Sequence, residues 1–65
     1  MKINTEYIKL DSFLKAVAAV GSGGEAKIRI AEGEVRVNGE CELRRGRKLR
    51  PGDRVELAGR SYDVE

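Results

Sequence analysis

The chemistry-bearing residues of this chain cluster in one place. Arg44-Arg45-Gly46-Arg47-Lys48-Leu49-Arg50 holds five cations and no anion within seven positions. The whole chain has 13 Lys and Arg against 11 Asp and Glu, so outside this stretch it carries eight basic and eleven acidic residues, a net of −3. The overall charge of +2 thus conceals a local excess of positive charge. Guanidinium groups are planar, stay ionised and fork onto phosphate oxygens, and they also stack on unpaired bases. Such a run suits a polyanion, and contact with five phosphates would give a slope of log affinity against log salt of roughly −3.5 to −4.5. A solvated basic loop that serves only solubility is the plain alternative. Leu49 reads as a core anchor, and Arg50 as a shield for the turn after it.

Other kinds of chemistry have little to work with. The chain has no His and no Trp, which removes the commonest general base and metal ligand. The acidic residues are scattered, and no pair stands apart for acid–base work. Cys41 is the single cysteine, so no internal disulfide can form, and it reads as a small, partly buried apolar residue. One cysteine fits a reducing, cytoplasmic compartment. Gly23 and Gly24 offer free amides at a helix start, but no full phosphate-loop pattern is present. Neither a metal nor a cofactor is expected, nor catalysis. No apolar run nears the ~20 residues needed to cross a bilayer, and the N-terminus lacks the apolar core of an export signal.

The elements that must position these residues are short. Sixty-five residues make one domain, 1–65, which buries only roughly 60% of the surface exposed on unfolding. Residues 5–9 read as a strand. Leu10, Phe13, Leu14 and Val17 share one helical face, with Asp11 as N-cap and Gly21 as the stop. Ser22 with Glu25 three residues on fits a capping box, so a second helix should run from about Gly23 to Glu32 and close at Gly33. Val35 and Val37 alternate with charge ahead of Asn38-Gly39, a strong turn signal. A strict two-residue hairpin would set Val35 opposite Glu42 and mix core with solvent on one face, so a displaced or irregular return strand is expected. The basic stretch then forms a loop, Pro51-Gly52-Asp53 a turn, Val55 and Leu57 a strand, Gly59-Arg60-Ser61 a turn, and Tyr62 and Val64 a last strand. Phe13 should be core, with Tyr7 and Tyr62 packed between the terminal strands. The class is α+β: a helix-turn-helix-like pair on a small, mostly antiparallel sheet.

This ordered set resembles a known family. Leu10-Asp11, then Ser22-Gly23-Gly24-Glu25-Ala26-Lys27, then Gly33-x-Val35-x-Val37-Asn38-Gly39, then Pro51-Gly52-Asp53 with Val55 two residues on, look like the S-four RNA-binding domain, named after the fourth small-subunit ribosomal protein. The resemblance covers residues 10–57, and the flanks are most similar to small free-standing bacterial members. It implies that RNA is bound by the start of the second helix and the adjacent β loop. Carried over by position, those residues are Ser22, Lys27, Arg44, Arg45, Arg47 and Lys48. Gly23 stands where many members have a basic residue. Arg29 stands where an apolar one is common, and Ile28 where a polar one is, which implies either a slightly rotated helix or an addition of Arg29 to the basic face.

The reading is therefore a non-catalytic, monomeric RNA-binding protein of the cytoplasm. Its expected ligand is structured RNA, ribosomal RNA or transfer RNA, with the ribosomal subunit as a further partner and no membrane. A protein–protein adaptor without an RNA role is the second reading.

Overall fold

A computed structural model describes residues 2–65. The order is β1 (Ile8–Lys9), α1 (Leu10–Ala16), α2 (Gly23–Ala31), β2 (Val35–Val37), β3 (Glu40–Cys41), β4 (Lys48–Leu49), β5 (Arg54–Leu57) and β6 (Arg60–Asp63). The strands form an antiparallel β1-β4 pair and an antiparallel sheet in the order β3-β2-β5-β6. The α+β class and the helix pair agree with the sequence reading.

One apolar layer holds the elements together. Leu10, Phe13 and Leu14 of α1 and Ala26 and Ile30 of α2 are buried with Val20, Val35, Val37, Leu49, Val55, Leu57 and Val64. In the sheet, Val35 faces Leu57 and Val37 faces Val55, so one face is entirely apolar where β2 meets β5. The other face pairs Arg36 with Glu56. In the second helix Ala26 and Ile30 are buried while Ile28 is exposed.

Both helices end in the same way, and only one ending shows in the sequence. After α2, the Gly33 amide donates to the Ile30 carbonyl and the Glu34 amide to the Arg29 carbonyl, with Gly33 at φ +77°. After α1, the Ala18 amide donates to Lys15 and the Ala19 amide to Leu14, with Ala18 at φ +60°. Each is a Schellman closure, but that of α1 puts alanine in the left-handed position that glycine favours. Gly21 is therefore not the stop. The Lys9 position caps α1 without a side-chain bond, so Asp11 is not the N-cap either; its carboxylate accepts from the Ser12 amide instead.

Four other expectations need correction. The first strand covers Ile8–Lys9 and not residues 5–9. The hairpin after β2 is strict: Val37 faces Glu40, Arg36 faces Cys41, and the Glu42 amide donates to Val35 at 3.0 Å. Asn38 and Gly39 both have positive φ (+53° and +85°), the paired left-handed geometry that matches strand twist. The last hairpin turns at Ala58-Gly59, also both left-handed, so Arg60 and Ser61 lie within β6. Cys41 is exposed, with its thiol 3.7 Å from the Gly33 carbonyl.

Candidate nucleic-acid interface

The basic stretch is anchored at both ends. Leu49 in β4 is fully buried and pairs with Ile8, while Lys48 pairs with Lys9. The expected loop therefore contains a short strand. Between β3 and β4, the Arg47 amide donates to the Arg44 carbonyl at 3.2 Å and closes a tight turn over Arg45 and Gly46. The outward carbonyls of this turn do a second job. The Leu10 amide donates to Arg47 at 2.8 Å and the Asp11 amide to Arg45 at 3.1 Å. Free amides at a helix start need acceptors, and here the basic loop supplies them to α1.

Glu42 organises the side chains. Its register opposite Val35 leaves it only 7% exposed. Arg44 donates to it through Nε at 3.1 Å and Nη2 at 3.2 Å, Arg47 through Nη1 at 2.9 Å, and the Arg44 backbone amide at 3.1 Å. Hydrogen bonds from the Arg44 side chain lead the causes that hold the Glu42 carboxyl down to about 2; burial opposes them, and Arg47 adds to them. Glu42 is thus ionised at neutral pH, and its partner Arg44 still has a 76% exposed side chain. The guanidinium pKa of Arg44 is raised by the same bonds.

Arg44, Gly46, Arg47 and Lys48 line one open concavity. Tyr7 supports its edge. The Lys48 ammonium lies 4.9 Å from the ring centre and the Arg50 guanidinium 5.9 Å, within cation–π range. Tyr7 thus serves the basic stretch. Arg45 is exposed and, among the described residues, forms no ion pair. Behind the loop, Asp53 accepts from the Arg50 amide at 2.8 Å and from Asn38 Nδ2 at 3.0 Å, and these bonds lower its carboxyl. Asn38 Oδ1 in turn accepts from the Arg54 amide at 2.9 Å, so the two turns flanking the loop are tied together.

The remaining expected site residues sit on α2, which packs against α1. Ser22 Oγ accepts from the Glu25 amide at 3.1 Å, as the capping pattern predicts. The reciprocal half differs: Glu25 Oε1 accepts from the Gly21 amide at 2.7 Å. Lys27 is exposed and, among the described residues, unpaired. Arg29 is held by Glu34 at 2.9 Å and by Glu25 at 3.5 Å, with its pKa raised chiefly by Glu34. Neither Ser22 nor Lys27 lines the concavity. The residue that sequence reasoning missed is Glu42. Its signal was the strict hairpin register, which places a carboxylate beside the core and so demands cations nearby.

Among the described residues no cluster of His, Cys, Asp and Glu could hold a metal ion, and no helix is long and apolar enough to cross a membrane.

A short strand leading into a helix pair, a four-stranded sheet and an arginine loop lodged against the first helix make up a small α+β module with a basic concavity, and the chain belongs to the S4 domain family, whose model matches residues 1–65. Its relatives are small. The "Probable ribosome maturation protein RlbA" of Bacillus subtilis (strain 168) is 51% identical over 59 residues, 91% of this chain and 83% of that protein. The "Putative RNA-binding protein YbcJ" of Escherichia coli (strain K12) is 41% identical over 58 residues, 89% of this chain and 83% of that protein.

Proposed function

We propose that this chain binds structured RNA without catalysing a reaction, with ribosomal RNA as the first ligand class to test and transfer RNA as the second. The observation that carries the reading is the concavity lined by Arg44, Gly46, Arg47 and Lys48, with Arg45 exposed beside it. Phosphate contacts position a protein on RNA, and arginine stacking on splayed bases adds local selectivity. Ser22 and Lys27 at the start of α2 form the second part of the surface. Arg29 is its least available member, because Glu25 and Glu34 already hold it. A role at the ribosome is supported by the ribosome maturation name of the Bacillus subtilis relative; a cytoplasmic location and a monomeric state complete the proposal.

The competing adaptor reading draws on Ile28 and Leu43, large apolar side chains 59% and 62% exposed. A salt series separates the two. Wild type and a triple variant (Arg44→Glu, Arg45→Glu, Arg47→Glu) are titrated with ribosomal RNA and with polyglutamate. RNA binding that weakens with salt and is lost in the triple variant supports the proposal. Equal binding by both proteins removes the surface, and no RNA binding by wild type at moderate salt favours the adaptor.

A further inference from the structure

We propose that Glu42 is a positioning residue that fixes Arg44 and Arg47 into one seat for a single phosphate group in the concavity. The inference rests on the RNA-binding reading above and adds to it a discrete anion site and the residue that builds it.

An acid inside a phosphate-binding loop is, by charge alone, a defect. It repels the ligand and neutralises one cation. A carboxylate needed only to keep the loop soluble would sit in water. Glu42 does not: the strict β2–β3 register buries it opposite Val35, where it takes three side-chain hydrogen bonds and one backbone hydrogen bond from Arg44 and Arg47. Two flexible side chains thereby lose most of their freedom before any ligand arrives, and prior ordering of this kind strengthens binding.

The bonds consume one edge of the Arg44 guanidinium and one nitrogen of the Arg47 guanidinium. Arg44 spends Nε and Nη2, and Arg47 spends Nη1. Arg44 Nη1, and Nε and Nη2 of Arg47, have no protein acceptor among the described residues. A tetrahedral phosphate has oxygens for several such donors at once. Gly46 lines the concavity, and the space at its Cβ position is open, with nothing within 4 Å. Lys48 lines the same hollow with its ammonium steered by Tyr7. Glu42 is already ionised at neutral pH, so the seat needs no proton transfer to form.

The test turns on sign. Glu42→Gln keeps the side-chain shape and raises the net charge from +2 to +3, which by simple electrostatics tightens RNA binding. Positioning demands the opposite. Ribosomal RNA titrations at fixed salt compare wild type, Glu42→Gln and the charge-matched control Glu32→Gln, with folding checked by amide spectra. The expected result is about three- to tenfold weaker binding for Glu42→Gln and unchanged or slightly tighter binding for the control. Equal or tighter binding by Glu42→Gln overturns the inference while leaving the RNA reading in place.

A second measurement needs neither RNA nor a variant. Inorganic phosphate is titrated into wild type at low salt while the arginine Nε–Hε signals are followed. Arg44 and Arg47 should shift together and saturably, with Arg54, paired to Asp63 at 2.9 Å, unmoved. Parallel, unsaturated drift of all three overturns the seat, even if RNA binding is intact. Absence of RNA binding alongside a saturable phosphate response removes the ligand class and keeps the anion site.

Discussion

The main-chain amide of Asp11 donates to the carbonyl of Arg45 at 3.1 Å. With the Leu10 to Arg47 bond beside it, the segment of highest charge density becomes the cap of the first helix. The loop is therefore part of the folded core's edge, and its order should match that of α1.

Amide exchange tests that coupling. In wild type, the Leu10 and Asp11 amides should be protected. Two glycines inserted between Arg45 and Gly46 should speed exchange at Asp11 about tenfold or more, the loss expected for a hydrogen bond worth ~1–1.5 kcal/mol, while Ile30 in α2 keeps its protection. Unchanged exchange at Asp11 would mean that the loop does not cap the helix.

Glycine placement at the two helix ends gives a paired stability prediction. Ala18 occupies the left-handed position after α1 that Gly33 occupies after α2. Ala18→Gly should stabilise the fold by about 0.5–1.5 kcal/mol, because a Cβ in that conformation costs about 1–2 kcal/mol. Gly33→Ala should destabilise by about 1 kcal/mol through backbone strain alone, since its new Cβ would lie at an ordinary 3.6 Å from the Cys41 thiol. Urea unfolding of the two variants and wild type checks both signs.

Acid sensitivity should trace to Glu42. Its carboxyl titrates at about 2 in the fold against an ordinary 4.5. The unfolded chain therefore takes up the proton first as pH falls. The contribution of Glu42 to stability is complete above 4.5, fades as pH drops toward 2 and is gone below that. Asp53 is shifted in the same direction by its bonds from Arg50 and Asn38. Wild type should lose ~1–2 kcal/mol more than Glu42→Gln between pH 6 and pH 2.5, a figure kept below the full shift because Arg44 stands largely in water. Unfolding midpoints at the two pH values give the answer. Parallel losses in the two proteins would remove Glu42 as the source.

Periodicity made α1 legible, the capping pattern made α2 legible, and an isolated Leu in a charged run left few placements for Leu49 but the core. Ser22 and Gly33 were equally readable: a hydroxyl before a helix and a glycine after it have local causes. Ala18 and Ala58 were not. Both take left-handed backbone that their side chain disfavours, and what holds it is the hydrogen-bonded closure each sits in, the helix end at Ala18 and the two-residue hairpin at Ala58. The expectation for β3 went wrong on one assumption, that an acid cannot face the core. Arg44 and Arg47 make that placement possible, and they come from two and five residues further along, beyond the reach of a strand-by-strand reading. The capping of α1 was hidden for the same reason, since the acceptors lie more than thirty residues downstream.

The most direct test of the account is ultraviolet crosslinking of the wild-type protein to ribosomal RNA, followed by mass mapping of the crosslinked peptides. Crosslinks should concentrate in residues 44–48, with a second, weaker set around 22–27, both diminishing as salt rises. Crosslinks confined to the β5–β6 hairpin, 54–63, with residues 44–48 unmodified would contradict it.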